Sequence, residues 1–422
     1  MISLSDLMAR ELPGKIFDCL RRIGAEGDRL RMRVYLIGGA VRDLLLRRRN
    51  IDLDLVVEGE GIDFARRLAE RMGGRIKRYD RFGTALLILR PGIKLDLASA
   101  RKECYQKPGA LPQVSKGDLL TDLYRRDFTI NSMALCLNPD RFGQLFDPYG
   151  GRRDLEAGVI RVLHRLSFSD DPTRMIRAVR FEQRYGFSLD SETESLLKEG
   201  VGSGMLSRVS GQRLRDELIL ILKEEDPLKA VKRLDGCGIL AFLSSGIRVD
   251  DNLFDRVGLS LSRLGFLKVE KWMVYLLALV WGLNMKAALQ FADRLYLPKR
   301  ASALIEDVWK RKQKIDYILA LLRPLPSQIY RALEGLRLEG IAFLLAQRDN
   351  QKFEEFVEVM LKRLSKVKLY ISGDDLKAIG IPQGPIYRRI LDKVFEAKLD
   401  GEVKTGTDEL ELARRFWRED EA

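Results

Sequence analysis

The chain has 422 residues, enough for two to four domains, and its 46% hydrophobic and 32% charged composition is that of an ordinary globular protein. A formal charge of +13 points towards a polyanionic partner. Four scattered cysteines (Cys19, Cys104, Cys136, Cys237) form no CxxC pair, which argues against a disulfide framework or a zinc site, and a single histidine, His164, leaves no room for a His-based triad.

Residues 1–30 are predicted helical, with Leu7, Leu12, Ile16, Leu20 and Ile23 at mostly three- and four-residue spacings. Met1 to Arg10 lacks the apolar core of a signal peptide. A strand over Val34–Ile37 is followed by a Gly38-Gly39 turn, a short helix around Leu44–Leu46 and a second strand over Asp52–Val56. Side chains at i and i+2 of a strand share a face, so Asp52 and Asp54 project together while Leu53, Leu55 and Val56 turn towards a core. Two adjacent carboxylates repel each other unless a cation lies between them, and Mg²⁺ is usually held by one or two carboxylates plus substrate phosphates. The glycine pair lets backbone approach a phosphate closely. Alone, a GG is most often a turn and a DxD most often solvated surface; the ordered set of strand, GG, helix and DxD is far more specific.

Ile62–Met72 is predicted as an amphipathic helix stopped at Gly73-Gly74. Strands over Arg75–Tyr79, Thr84–Leu89 and Lys94–Ala98 follow, with turns at Phe82-Gly83 and Pro91-Gly92, and they suit a mixed sheet. Asp96 reads equally as a third acid near the metals or as an edge-strand surface residue. Ser99 to Leu123 is polar and long for a compact domain, which makes it a functional flexible loop or a disordered spacer. Arg125-Arg126 precedes the run Asp127 to Ala134; such a pair is either a helix-cap region or a triphosphate clamp, since guanidinium forks match phosphate oxygens.

Asp171-Pro172 is good helix-start chemistry. On the helix that follows, Arg174, Arg177, Arg180 and Arg184 fall on one side, and Met175, Ile176 and Val179 on the other. Read alone, this is a capped helix with a solvated basic face. From Glu192 onward the pattern is almost wholly helical: Val209–Leu222, Pro227–Leu234, Trp272–Leu283, Ala287–Leu295, Ala301–Trp309 and Ile318–Leu322. The apolar run Trp272–Leu283 is well short of the roughly 20 residues that span a bilayer.

The runs Gly38–Asp43 (GGAVRD), Asp52–Asp54 (DLD), Arg125–Ala134 (RRDFTINSMA) and Asp170–Phe181 (DDPTRMIRAVRF) resemble the class II tRNA nucleotidyltransferase (CCA-adding enzyme) and bacterial poly(A) polymerase family. The stretch from Ile371 to Pro385 more weakly resembles the tail that in this family grips the tRNA elbow. The resemblance implies an α+β chain: a polymerase-β-like head with a mixed sheet, then all-helical neck, body and tail domains. The implied divisions are an N-terminal helical extension (1–30), head (31–165), neck (166–235), body (236–350) and tail (351–422). Asp52 and Asp54 would be catalytic and hold Mg²⁺, two ions in all. Gly38, Gly39, Arg42, Arg126, Asn131, Asp171, Arg174, Arg177 and Arg180 would bind the nucleotide. Of these, Asp171 and Arg174 would read the base edge as a protein template, and the family often has Glu where Asp170 stands. The implied partners are CTP and/or ATP and a tRNA lacking all or part of its 3′ CCA, in the cytoplasm and without a membrane. CC addition alone, A addition or the whole of CCA all stay open. A poly(A) polymerase and an RNA-binding protein with a retired active site are the other readings.

Overall fold

The computed structural model describes residues 3–48, 52–80, 83–90, 92–104, 109–110, 112–263 and 268–421. Helices α1 (Ser5–Glu11) and α2 (Gly14–Arg29) open the chain. The apolar spacing fixes their inner face, where Leu12, Leu20 and Ile23 are buried. Gly24 of α2 lies so close to the next layer that a Cβ there would stand 1.7 Å from the carbonyl oxygen of Leu137.

Next come β1 (Arg33–Ile37), α3 (Gly39–Leu45), β2 (Leu53–Glu58), α4 (Gly61–Met72), β3 (Gly74–Tyr79), β4 (Thr84–Leu89) and β5 (Ile93–Ser99). With β8 (Ala134–Cys136) and β9 (Leu145–Phe146) these strands form one seven-stranded sheet in the order β3-β4-β5-β2-β1-β8-β9. Only β2 and β5 run parallel, so the sheet is mixed, as the pattern predicted. The face carrying Leu53, Leu55, Leu87, Leu95 and Leu97 is buried, and α4 supplies Phe64 and Leu68 to the same layer.

Several expectations need correction. Val56 does not share the face of Leu53 and Leu55; two residues on from Asp54, it joins a second buried cluster with Ile37, Leu119 and Leu123. Asp52 lies one residue ahead of β2, and α3 begins at Gly39, several residues before the expected Leu44. Ser99 to Leu123 is not an open loop. It holds a two-stranded pair, β6 (Arg101–Cys104) and β7 (Gln113–Lys116), and then α5 (Leu119–Tyr124). All four β7 side chains are exposed, so no apolar alternation announced the strand. Residues 105–108 and 111 of that stretch, and Phe82 and Pro91 of the expected turns, lie outside the described residues.

The chain continues through α6 (Gly151–Glu156), a short parallel pair of β10 (Val159–Ile160) with β11 (Ser188–Leu189), α7 (Ser167–Asp170), α8 (Thr173–Tyr185), α9 (Ser191–Gly202) and α10 (Gly211–Leu222). A first compact unit spans Met1–Glu224 and Lys229–Leu243; a second takes Glu225–Leu228 and Ser244–Ala422. The second unit is helical. Its longest described helix, Lys299–Ala320, absorbs the helix expected at Ala301–Trp309 and the start of the one expected at Ile318–Leu322, because the charged run Lys310 to Lys314 contains no helix breaker. Near its end, Ser372 and Asp375 form a capping box, and Ile371, Leu376, Ile390, Val394 and Leu412 build a small separate core. Among the described residues, no helix is long and apolar enough to cross a membrane. The four cysteines are free.

Candidate active site

The glycine turn comes first. Gly38 caps α3 with φ +64° and ψ −126°, a conformation that side chains rarely adopt. Space demands glycine as well, since a Cβ there would sit 2.4 Å from Nη1 of Arg126. Arg42, buried one turn into α3, donates from Nε and Nη2 to Asp43 at 2.9 and 3.0 Å and from Nη1 to Oδ1 of Asn131. Its guanidinium lies 4.9 Å from the Tyr185 ring centroid and 5.3 Å from that of Phe181.

Asp54 is half-buried on β2, in register with Asp96 on the parallel β5, so the two carboxylates share a sheet face. Burial pushes the Asp54 carboxyl up to about 6; Arg126 pulls the other way, and Asp96 and Asp52 add repulsion. Asp52 and Asp96 are exposed. No group of three or more His, Cys, Asp or Glu among the described residues is gathered as a metal cage. The donor set is therefore two carboxylates with a third nearby, which suits a hard divalent ion completed by phosphate oxygens rather than one enclosed by protein.

Beside this face lies a cavity of about 460 Å³, lined among others by Arg126, Asp127, Asp171, Arg174, Arg177 and Glu217. Arg126 is held by Asp122 at 3.2 Å; burial lowers its affinity for the proton, Asp122 opposes this, and its Nε is buried with no hydrogen-bond partner. A desolvated cation with an unused donor suits an anionic ligand. Arg174 donates from Nη1 to the Ser167 hydroxyl at 2.8 Å and from Nη2 to the carbonyl of Arg125 at 2.6 Å. Asp171 accepts from the backbone and hydroxyl of Thr173 at 3.0 and 2.6 Å, which anchors the start of α8, and its other oxygen meets Arg213 at 2.7 Å.

The basic side of α8 is not a solvated face. Arg174 and Arg180 are buried, and Arg177 bridges Asp127 (2.9 Å from Nε) and Glu217 (3.1 Å from Nη1). Burial works against the charges of Arg177 and Asp127, but their mutual attraction outweighs it: the carboxyl is held far below the usual range and the guanidinium far above. Asp127 also accepts from Asn131 at 2.9 Å. A continuous path therefore runs Arg42–Asn131–Asp127–Arg177–Glu217, linking the glycine turn to α8 and α10.

Of the residues expected in the site, Arg126, Asp171, Arg174 and Arg177 share the cavity, and Gly38, Gly39, Arg42 and Asn131 adjoin it through that path. Arg180 turns away to Glu217 at 3.4 Å and the Phe181 ring at 4.6 Å. Asp170 lies 3.9 Å from His164 instead of lining the cavity. Sequence reasoning missed Asp122, Asp127, Arg213 and Glu217 as participants. Asp127 stands in the RRDFTINSMA run and Glu217 in the helix predicted over Val209–Leu222, but their pairing to Arg177 spans 50 and 40 residues, beyond any local signal.

A mixed sheet carrying a phosphate-type glycine turn, a carboxylate pair and an arginine-lined cavity defines a nucleotidyltransferase head. Residues 34–161 match the poly A polymerase head domain, and residues 186–249 match a probable RNA- and SrmB-binding site of polymerase A. The chain is 41% identical, over 97% of its length, to the A-adding tRNA nucleotidyltransferase of Geobacter sulfurreducens, but spans only 48% of that relative. It is 31% identical to the A-adding enzyme of Halalkalibacterium halodurans, covering 98% of this chain and 96% of the relative. The solved CCA-adding enzyme of Thermotoga maritima, complexed with tRNA, superposes with TM-score 0.74 at 35% identity over 98% of both chains. The chain belongs to the tRNA nucleotidyltransferase and poly(A) polymerase family.

Proposed function

We propose that the protein adds the terminal A to a tRNA ending in CC, using ATP and no nucleic-acid template. The observation that carries this is the joining of a carboxylate pair, a glycine turn and an arginine and aspartate cavity in one unit. The choice of A among the possible additions rests on the names of two relatives that match nearly the whole chain, whereas the Thermotoga maritima enzyme, which matches it as fully, is named CCA-adding.

In this reading the backbone at Gly38 and Gly39, with Arg42 and Arg126, binds and orients the triphosphate. Asp52 and Asp54 would hold the Mg²⁺ ions, which when bound supply charge neutralisation at the attacking and leaving oxygens. The RNA 3′-hydroxyl forms a bond to the α-phosphorus as the bond to the β-phosphate bridge breaks, and pyrophosphate leaves. Asp171 accepts from the exocyclic amine of the base and Arg174 donates to a ring nitrogen. Arg177 and Asn131 hold that pair in register with the phosphate end, and Arg180 supports α8 from behind. Positioning and electrostatics supply the rate. The division into N-terminal extension (1–30), head, neck, body and tail is part of the same proposal, with the neck carrying base choice and the tail the tRNA.

The test is incubation of tRNAs ending before CCA, or in CC, with CTP, ATP or both, reading product length. One added A on the CC-ending tRNA is expected. Two added C residues on the shorter tRNA with no A on the CC-ending one would mean a CC-adding enzyme, all three nucleotides on the shorter tRNA a CCA-adding enzyme, a long tail a poly(A) polymerase, and tight RNA binding without any addition a retired site.

A further inference from the structure

The sheet face that carries Asp54 is covered by α5 at Val56 and opens towards the outer strands at the edge of the sheet. The registers place Asp54 beside Asp96, Asp96 beside Leu86, and Leu86 beside Lys77, so one transverse row runs from the carboxylate to the edge strand β3. On this face Ile88 is 37% and Tyr79 41% exposed, and Arg75, Lys77 and Lys94 are exposed as well. The opposite face of the same strands is buried with α4. A half-open sheet face is ordinary in antiparallel regions; its composition here is not. Arg75, Lys77 and Lys94 have no carboxylate partner among the described residues, whereas the arginines of α4 nearby, Arg66, Arg67 and Arg71, are all paired. Lys77 leans over the Tyr79 ring, 5.3 Å from its centroid.

Unpaired cations flanking a flat aliphatic and aromatic surface are what single-stranded nucleic acid binds: backbone charge on one side, stacked bases on the other. The row begins at the carboxylates where a 3′-hydroxyl would react and extends three strand spacings, about 14 Å. We propose that this face, through Arg75, Lys77, Tyr79, Ile88 and Lys94, seats the single-stranded 3′ end of the acceptor RNA and delivers its terminal hydroxyl to Asp54. The inference rests on the nucleotidyltransferase reading for the direction of the strand, but RNA binding at the face is measurable without any chemistry.

The experiment uses the full chain without nucleotide. Binding of a tRNA ending in CC and of the same tRNA trimmed to a blunt acceptor end is measured by fluorescence anisotropy across a salt series. The variants are Arg75→Glu/Lys77→Glu/Lys94→Glu and, as a milder pair, Lys77→Gln/Lys94→Gln. The triple variant should weaken binding of the CC-ending tRNA by about tenfold or more, with a shallower salt slope, and leave the blunt tRNA within about twofold. Its KM for ATP should hold while its KM for RNA rises; the milder pair should show the same asymmetry, smaller. Equal weakening of both RNAs, or no weakening of either in two folded variants, would overturn the proposal. Wild-type protein that binds the 3′ end with this asymmetry yet adds no nucleotide would defeat the enzyme reading alone.

Discussion

The carboxylate row on the sheet and the cavity at the start of α8 are built on opposite principles. At the sheet, Asp54 and Asp96 share a face with Asp52 just ahead of the strand, and burial drives the Asp54 carboxyl up to about 6 although Arg126 opposes it. At the cavity, almost every charged group is fixed from two sides: Asp127 by Asn131 and Arg177, Asp171 by Thr173 and Arg213, Arg174 by Ser167 and a backbone carbonyl. Unrelieved negative charge is what a site needs to attract cations, which in turn draw a polyphosphate. Fixed geometry is what a site needs to tell one base edge from another, because a misplaced donor discriminates poorly.

The comparison breaks first at the carboxylates. Asp52→Ala or Asp54→Ala should lower nucleotide addition by at least about 10³-fold while RNA affinity holds and the melting temperature does not fall; near wild-type turnover in Mg²⁺ would refute the metal assignment. At the cavity, Arg177→Met should strand two buried carboxylates and destabilise the protein by about 3–5 kcal/mol in urea titration. A loss below about 1 kcal/mol would mean that the Asp127–Arg177–Glu217 bridge is not a fixed framework.

Arg174→Ala should blur the choice between ATP and CTP by about 10–100-fold in kcat/KM, more than it alters RNA binding. The smallest effect has the opposite sign. The folded state raises the Asp54 carboxyl from 3.8 to about 6, so the folded chain holds that proton more tightly than the unfolded chain. Stability is therefore lost as pH rises through that window and stays lost above it. Without metal, Asp54→Asn should be more stable than wild type by about 1–2 kcal/mol at pH 7 and no more stable near pH 3.5. An equal difference at both values would mean that charge is not the cause.

The sequence made the first region legible and much of the second illegible, for physical reasons. The turn at Gly38 and the Asp52 and Asp54 pair follow from local rules of strand period and glycine conformation, and β3, β4 and β5 appear within a residue or two of their expected ends. The one local error there, the face of Val56, came from treating a strand covered on both sides as covered on one. The cavity depends on pairings across tens of residues, so Asp127 and Glu217 gave no signal of their own, and the arginines of α8 read as solvated until the family resemblance placed them at the nucleotide. The β6–β7 pair escaped because its side chains alternate in nothing that water would distinguish.

The separation of chemistry from base choice is tested most directly by single-turnover addition of ATP and of CTP to a tRNA ending in CC, comparing wild type, Asp54→Asn and Asp171→Asn. Asp54→Asn should slow both nucleotides by the same large factor, and Asp171→Asn should change their ratio by tenfold or more. A ratio unchanged in Asp171→Asn, or shifted in Asp54→Asn, would contradict that separation.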